Sequence, residues 1–462
     1  MSDRKSKYKM IPVIFALAWP TMLEEFMQTA VQYIDTAMVG SLGTLATAAV
    51  GSTSTVNWLI GSSISAIGIG FLSYIARSFG AGDKESARRA SAQAVLAVII
   101  SGIIFTILTT VLSPYVPVWM QVDESIKETA STYFLIIYAP MLPRAASIIF
   151  GTVLRGAGDT KTPMVCGVIV NIINIILNFF LIYETRTVSM LGLEFKMLGA
   201  GLGVIGAGLA SAIAFTVGGV LITIAVFRHP TVSPKGYSLK PNPGVLRPCM
   251  KVAIPNMFQR FTTSLGYVVF ASMINSLGDV ATAAHTIANT VESAFYIPGY
   301  GMQSAAATLA GNTLGARDKK RMNELTTMII IVEVLMMIVT GGLLFVFAPE
   351  MMRLFTDDSE VIGLGTTVLR MVALSEPIFG VAIVIEGIMQ GVGKTVTPFV
   401  FNVIGMWGIR IVGTFICTTF FSLGLVSAWA CMIAHNIVLF FMFLVHWKRG
   451  KWMAEIDNNL GE

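Results

Sequence analysis

Hydrophobic residues run in blocks of 20 or more between breaks of glycine, proline and charge, as from Ala90 to Met120. A block of about 20 apolar residues is the length an α-helix needs to cross a bilayer. Reading the blocks against their breaks predicts twelve spans, near residues 10–39, 46–76, 90–119, 128–153, 161–183, 198–227, 249–276, 282–312, 324–348, 361–389, 396–420 and 423–447. An even number of spans puts both ends of the chain on one side. The expected fold class is all-α, polytopic, with the lipid bilayer as its solvent.

Composition agrees: 12% of the residues are charged, 55% are hydrophobic and the mean hydropathy is +0.75. Soluble domains run near about 25% charged, so a soluble protein, a disordered chain and an ordinary enzyme core are excluded. The net charge of +5 is not gathered on one soluble face, which leaves nucleic acid out as a partner. Instead, the basic residues alternate along the loops. Twenty-three lysines and arginines, among them Arg4, Lys5, Lys7, Lys9, Lys84, Arg155, Lys240 and Lys319, fall in one set of loops, against four (Lys127, Arg186, Lys196 and Arg353) in the other. By the positive-inside rule this predicts two cytoplasmic termini and a multi-pass protein of the plasma (inner) membrane. The first apolar run is too long for a signal-peptide core and reads as an uncleaved span. Cys166, Cys249, Cys417 and Cys431 are scattered and suggest neither a disulfide framework nor a zinc site.

The chain repeats itself. The shift that puts Pro20 on Pro255 also puts SLG at Ser41 on SLG at Ser276, ATAA at Ala46 on ATAA at Ala281, and RGAGDTKTP (155–163) on QGVGKTVTP (390–398). Each copy holds six spans, an even number, so both insert the same way round as parallel repeats. This predicts two pseudo-symmetric six-helix bundles, 1–230 and 249–462, joined by a proline- and lysine-rich cytoplasmic linker at 231–248. Duplicated membrane bundles commonly form a cleft that opens alternately to each side, which points to transport. An ATP-driven pump would need a phosphate cradle, but GVGKT at Gly391 lacks the first P-loop glycine, since position 388 is isoleucine. No HExxH, GxSxG or His/Cys cluster supports a membrane-embedded enzyme, the alternative class, and no cofactor is implied.

Ionisable side chains inside spans cost about 2.5–3.5 kcal/mol each and usually face an interior cavity. On the first span, measured from Glu24 at 100° per residue, Asp35, Gln28, Thr21 and Gln32 fall at about 20°, 40°, 60° and 80°. That is one polar stripe, lining a wet cavity or bonded to polar neighbours. Its repeat counterparts in span seven are Gln259 for Glu24, Thr263 for Gln28, Tyr267 for Gln32 and Phe270 for Asp35, which assigns cation or proton coupling to the N-terminal half, with Asp35 and Glu24 as its candidate acids. Glu25 and Arg260 share a depth and form a candidate pair. In span five, Asn171, Asn174 and Asn178 share a face, as ligands or as glue between helices. His285, Asn289 and Glu292 in span eight form a second candidate polar face, and Glu386 is a further intramembrane acid. Glu333, among aliphatics, reads as structural, and the Gly/Ala run of span six as tight helix packing. Candidate substrate contacts are Gln28, Gln32, Gln259, Tyr267, Glu292 and Glu386, with soft walls supplied by Met22, Met257 and Phe258.

The segments PTMLEEFMQTAVQYIDTAMVGSLG, RGAGDTKTPM with NIINIILN, and NTVESAFYIPGYGMQSAAATLAGNTLGA resemble the multidrug and toxic compound extrusion (MATE) family over about residues 10–447. The resemblance implies a monomeric twelve-helix exporter that exchanges amphipathic, often cationic small molecules for protons or sodium ions. Asp35 matches that family's first-helix acid and Asn174 its fifth-helix asparagine, a possible sodium site, while Asn178 stands where some members carry aspartate. Two C-terminal acids of other members correspond to Thr263 and Phe379, leaving Glu292 and Glu386 as substitutes. A lipid-linked oligosaccharide flippase of the same superfamily is the alternative within transport, for which Arg260 is the one supporting residue.

Overall fold

Prolines and glycines set where helices start and stop in the computed structural model, which describes residues 10–120, 123–190 and 193–453. Arg4, Lys5, Lys7, Lys9 and both chain ends lie outside the described residues. Helices α1 (Met10–Gly40), α2 (Thr44–Gly80) and α3 (Lys84–Leu112) are followed by α4 (Lys127–Tyr138) and α5 (Met141–Gly156), then α6 (Lys161–Leu181). An antiparallel hairpin, β1 (Glu184–Met190) and β2 (Leu193–Ala200), precedes α7 (Gly203–Arg228). The second half comprises α8 (Pro243–Asn275), α9 (Asp279–Gly315), α10 (Lys319–Arg353), α11 (Ser359–Ala373), α12 (Glu376–Gly391), α13 (Val396–Phe420) and α14 (Leu425–Arg449).

These helices make the twelve expected spans, with three corrections. The fourth and tenth spans are each broken, bent by 51° between α4 and α5 and by 55° between α11 and α12. Pro140 stands immediately before α5 and Pro377 in the first turn of α12. Proline has no N–H to donate and fits a helix only at its start, so each span restarts there. The sixth span begins at Gly203 rather than 198, because Leu198–Ala200 complete β2. Finally, α8 and α9, 33 and 37 residues long, are long enough to cross a membrane but more polar than the other ten spans. They carry Lys251, Arg260, His285 and Glu292.

The repeat holds to the residue. The shift that carries Pro20 to Pro255 carries the ends of α2, Thr44 and Gly80, to those of α9, Asp279 and Gly315. It likewise carries Met141 and Gly156 of α5 to Glu376 and Gly391 of α12. The last helix of each half departs from it. The shift would carry Gly203, the start of α7, to Val438, yet α14 already begins at Leu425, because the hairpin lengthens the first half only.

The chain forms two compact units. Among the described residues, one contains Leu23–Phe71 and Lys84–Arg247; the other contains Met10–Met22, Leu72–Asp83 and Pro248–Met453. In the first unit the glycines of α7 do what their spacing suggests. Gly206 lies against the Leu181 carbonyl and Gly219 against the Pro143 carbonyl, too close for any Cβ. The segment leading to α8 is bound to this unit: Arg88 Nη2 donates to the Pro230 carbonyl at 2.7 Å, and Gln93 bonds the backbone of Lys240 at 3.0 Å and Asn242 at 2.9 Å. The second unit has two apolar cores, one around Ile14, Met302, Ala306 and Ile385, the other around Phe270, Val368, Leu369 and Trp429.

Candidate functional sites in the two units

In the first unit the polar stripe of α1 divides. Asp35, half-buried, meets α6: Asn178 Nδ2 donates to its Oδ1 at 2.6 Å. Asn174, one turn earlier on α6, is 5% exposed; with its amide nitrogen facing α1 it donates to the same oxygen at 2.8 Å while its oxygen accepts from Ser211 Oγ of α7 at 3.0 Å. Asn178 is 1% exposed and its Oδ1 is buried without a hydrogen-bond partner. An ionised carboxylate, an orphaned amide oxygen and a second amide are a hard-oxygen donor set, which suits sodium, and the carboxylate alone accepts a proton.

Glu24, further back along the stripe, accepts from Arg155 Nη2 of α5 at 2.6 Å. The sequence counted Arg155 only as a loop cation, so this intramembrane pair is a finding of the fold. Gly167 on α6 lies against it, a Cβ there meeting Glu24 Cγ at 3.4 Å, an ordinary contact distance. Gln28 and Gln32 are exposed on α1. A second half-buried cation lies nearby in sequence: Arg144 Nη2 donates to Asn57 Oδ1 at 2.7 Å, and its guanidinium stands over the rings of Tyr138 and Phe215, 5.2 and 4.7 Å from their centroids.

The second unit puts different chemistry at the same repeat positions. Gln259 and Gln390 replace Glu24 and Arg155, and both donate to Glu386 Oε1, at 2.9 and 3.1 Å. Asn402 Nδ2 donates to the other oxygen at 3.1 Å and Gln303 bonds the same carboxylate, so amides satisfy it where the first unit uses an ion pair. Arg260 Nε donates to Asn256 Oδ1 at 2.9 Å.

Arg410 is the centre of a second set. It lies on a π-helical stretch, Ile404–Ile411 of α13, and is 3% exposed, over the rings of Phe270 and Tyr267 at 4.1 and 4.9 Å. Its Nε and Nη2 have no hydrogen-bond partner. Glu292 of α9, 6% exposed, is within electrostatic reach of Arg410, and Glu376 is within reach of both Glu292 and Glu333. Glu333 and Glu376 are 0% and 1% exposed, and none of their four carboxyl oxygens has a partner. Glycine makes space for them: a Cβ on Gly299 or Gly380 would come within 3.0 or 2.9 Å of Glu333 Oε1. Glu376 sits at the start of α12, where the broken tenth span resumes. The expected His285–Asn289–Glu292 face does not form one group, because Asn289 is exposed while His285 accepts from Trp429 Nε1 at 3.2 Å.

One buried arginine cannot neutralise three buried carboxylates in a medium where each bare charge is expensive. The sequence reading took Glu333 as structural and missed Glu376; their repeat counterparts, Val98 and Met141, are apolar and gave no second signal. The bend at Pro377 was the one available signal. Among the described residues no three His, Cys, Asp or Glu side chains converge as a metal cluster.

Comparison with known proteins follows the same duplication. The MatE family model matches residues 20–180 and again 255–416, so its two matches begin at Pro20 and at its repeat counterpart Pro255. Among curated proteins, the probable multidrug resistance protein NorM of Thermotoga maritima is 27% identical over 95% of this chain and 92% of its own length. The probable multidrug resistance protein YoeA of Bacillus subtilis is 24% identical over 97% of this chain and 96% of its own. A crystal structure of MATE in complex with MaL6 superposes with a TM-score of 0.88 at 22% identity, covering 96% of this chain and 97% of that one.

Proposed function

Because the chain belongs to the MatE family of multidrug-efflux transporters, it is a multi-pass membrane transporter and not an enzyme, and we propose that it exports amphipathic, often cationic small molecules in exchange for protons or sodium ions. The observation that carries this reading is Asp35, a carboxylate inside a span, held by Asn178 with Asn174 beside it. When ionised it binds a cation with the free Oδ1 of Asn178; when protonated it is neutral. Either loading removes the charge that makes the span expensive and lets the helices rearrange, which is the requirement for alternating access.

The exposed Gln28, Gln32 and Tyr267, with Gln259, Glu292 and Glu386, are the groups we assign to substrate. Glu24, locked to Arg155, holds α1 to α5 beside the coupling acid. The acids Glu292, Glu333 and Glu376 around Arg410 form a second proton reserve in the C-terminal half, which the broken tenth span supports. The functional halves are 1–230 and 249–462, joined by 231–248 on the cytoplasmic side. The protein acts as a monomer in the plasma (inner) membrane with both termini cytoplasmic and no cofactor.

The test is Asp35→Asn, which keeps size and hydrogen bonding but removes titration. Reconstituted into vesicles, the variant should bind drug yet fail to move it uphill under either a proton or a sodium gradient. Full efflux under both gradients rules out Asp35 as the coupling group.

A further inference from the structure

We propose that Cys417 and Cys431 are an oxidisable dithiol that closes to a disulfide and ties α13 to α14. Their sulfurs lie 3.9 Å apart, though the residues belong to different helices. Gly413, one turn before Cys417, lets the helices meet: a Cβ there would stand 3.1 Å from Cys431 Sγ and 3.5 Å from its Cβ. A disulfide needs sulfurs at about 2.05 Å and Cα atoms within about 7 Å, and two thiols in van der Waals contact on closely packed backbones reach this by side-chain rotation and a small approach.

The place of the pair gives it a use. Cys417 is in the second π-helical stretch of α13, Ile416–Phe420, and Cys431 is in the second turn of α14, on either side of the connection at 421–424. On the orientation proposed above, that connection faces outward, where disulfides form and persist. The reaction balances with an external low-molecular-weight disulfide. One thiolate attacks it and releases one reduced thiol; the second cysteine then displaces the other, so the pair loses two hydrogens and the reagent gains them. The bond fixes the π-helical stretch against α14, so α13 cannot rewind to regular α-helix there. Arg410 lies two turns earlier on the same helix. Oxidation from outside therefore slows transport by restraining the helix that carries Arg410.

The test uses the full chain in membrane vesicles. After diamide treatment, mass spectrometry of the digest should find a Cys417–Cys431 linked peptide, with Cys166 and Cys249 still free. Efflux should fall several-fold and return with dithiothreitol, and Cys417→Ser should abolish both the link and the sensitivity. Absence of the linked peptide overturns the dithiol, and a quantitative link with unchanged efflux overturns the restraint. Because the link is read without transport, failure of the exporter reading stays distinguishable.

Discussion

Gly80 and Gly315 make a reciprocal contact: Gly80 at the end of α2 abuts the Asn312 carbonyl of α9, and Gly315 at the end of α9 abuts the Arg77 carbonyl of α2. Arg77 and Asn312 are themselves repeat counterparts, as Pro20 and Pro255 are, so the repeat meets itself here. Neither glycine has room for a Cβ.

Gly80→Ala and Gly315→Ala should each force these helix ends apart and cost about 1–3 kcal/mol, as overpacking does. Gly61→Ala, in the same helix but with nothing within 4 Å of the new Cβ, should be neutral or stabilising by about 0.5–1 kcal/mol. Melting in detergent decides; equal melting of Gly80→Ala and Gly61→Ala would refute the contact.

The pair Glu24–Arg155 should show positive coupling in a double-mutant cycle. Glu24→Gln or Arg155→Gln alone removes one charge of the pair and its 2.6 Å bond. The double variant reproduces the neutral Gln259 and Gln390 of the second unit and should recover about 0.5–3 kcal/mol relative to the sum of the singles. Additive losses would mean the pair does not interact.

Glu292 and Glu333 should respond differently to loss of charge. Glu292→Gln removes the acid within electrostatic reach of Arg410 and should destabilise by about 3–5 kcal/mol, the usual cost of orphaning a buried charge. Glu333→Gln removes no hydrogen bond and should change stability by less than about 0.5 kcal/mol, while lowering the number of protons exchanged per substrate. Unchanged proton counts in reconstituted vesicles would remove Glu333 from the proton reserve.

His229, just past α7, makes stability fall at acid pH. Its Nδ1 accepts from the backbone N–H of Thr231 and Val232, at 3.2 and 3.4 Å, which requires that nitrogen to be unprotonated. Burial holds the imidazole below its usual pKa, against the opposing pull of Asp159 at 3.9 Å. The unfolded chain thus binds a proton more readily, so this contribution is complete above about pH 6.5 and declines as pH falls toward the depressed folded value. His229→Gln should flatten the melting temperature between about pH 7 and 5. An identical decline in both proteins would assign it elsewhere.

Orientation is checked by labelling. Cysteines at Lys84, Lys240 and Lys319 should react only from the cytoplasm, and those at Lys127 and Arg353 only from outside; the reverse pattern inverts the topology.

The number of spans, the duplication with its constant offset, and the pairing of Asp35 with the α6 asparagines were all legible in the sequence. Each depends on local periodicity, on chain-wide self-similarity or on a recognisable motif, and none needs a distance. Tertiary structure alone decided which of the remaining polar groups meet. Arg155 reads as a loop cation until α5 carries it to Glu24, and Glu333 reads as packing until α9 and α12 leave it a glycine-lined notch beside Glu376. Likewise, Cys417 and Cys431 carry no pairing signal in sequence and are 3.9 Å apart in space. Periodicity reports which face of a helix is polar, but the partner of a buried charge is set by the packing of other helices, and the energy at stake depends on that distance.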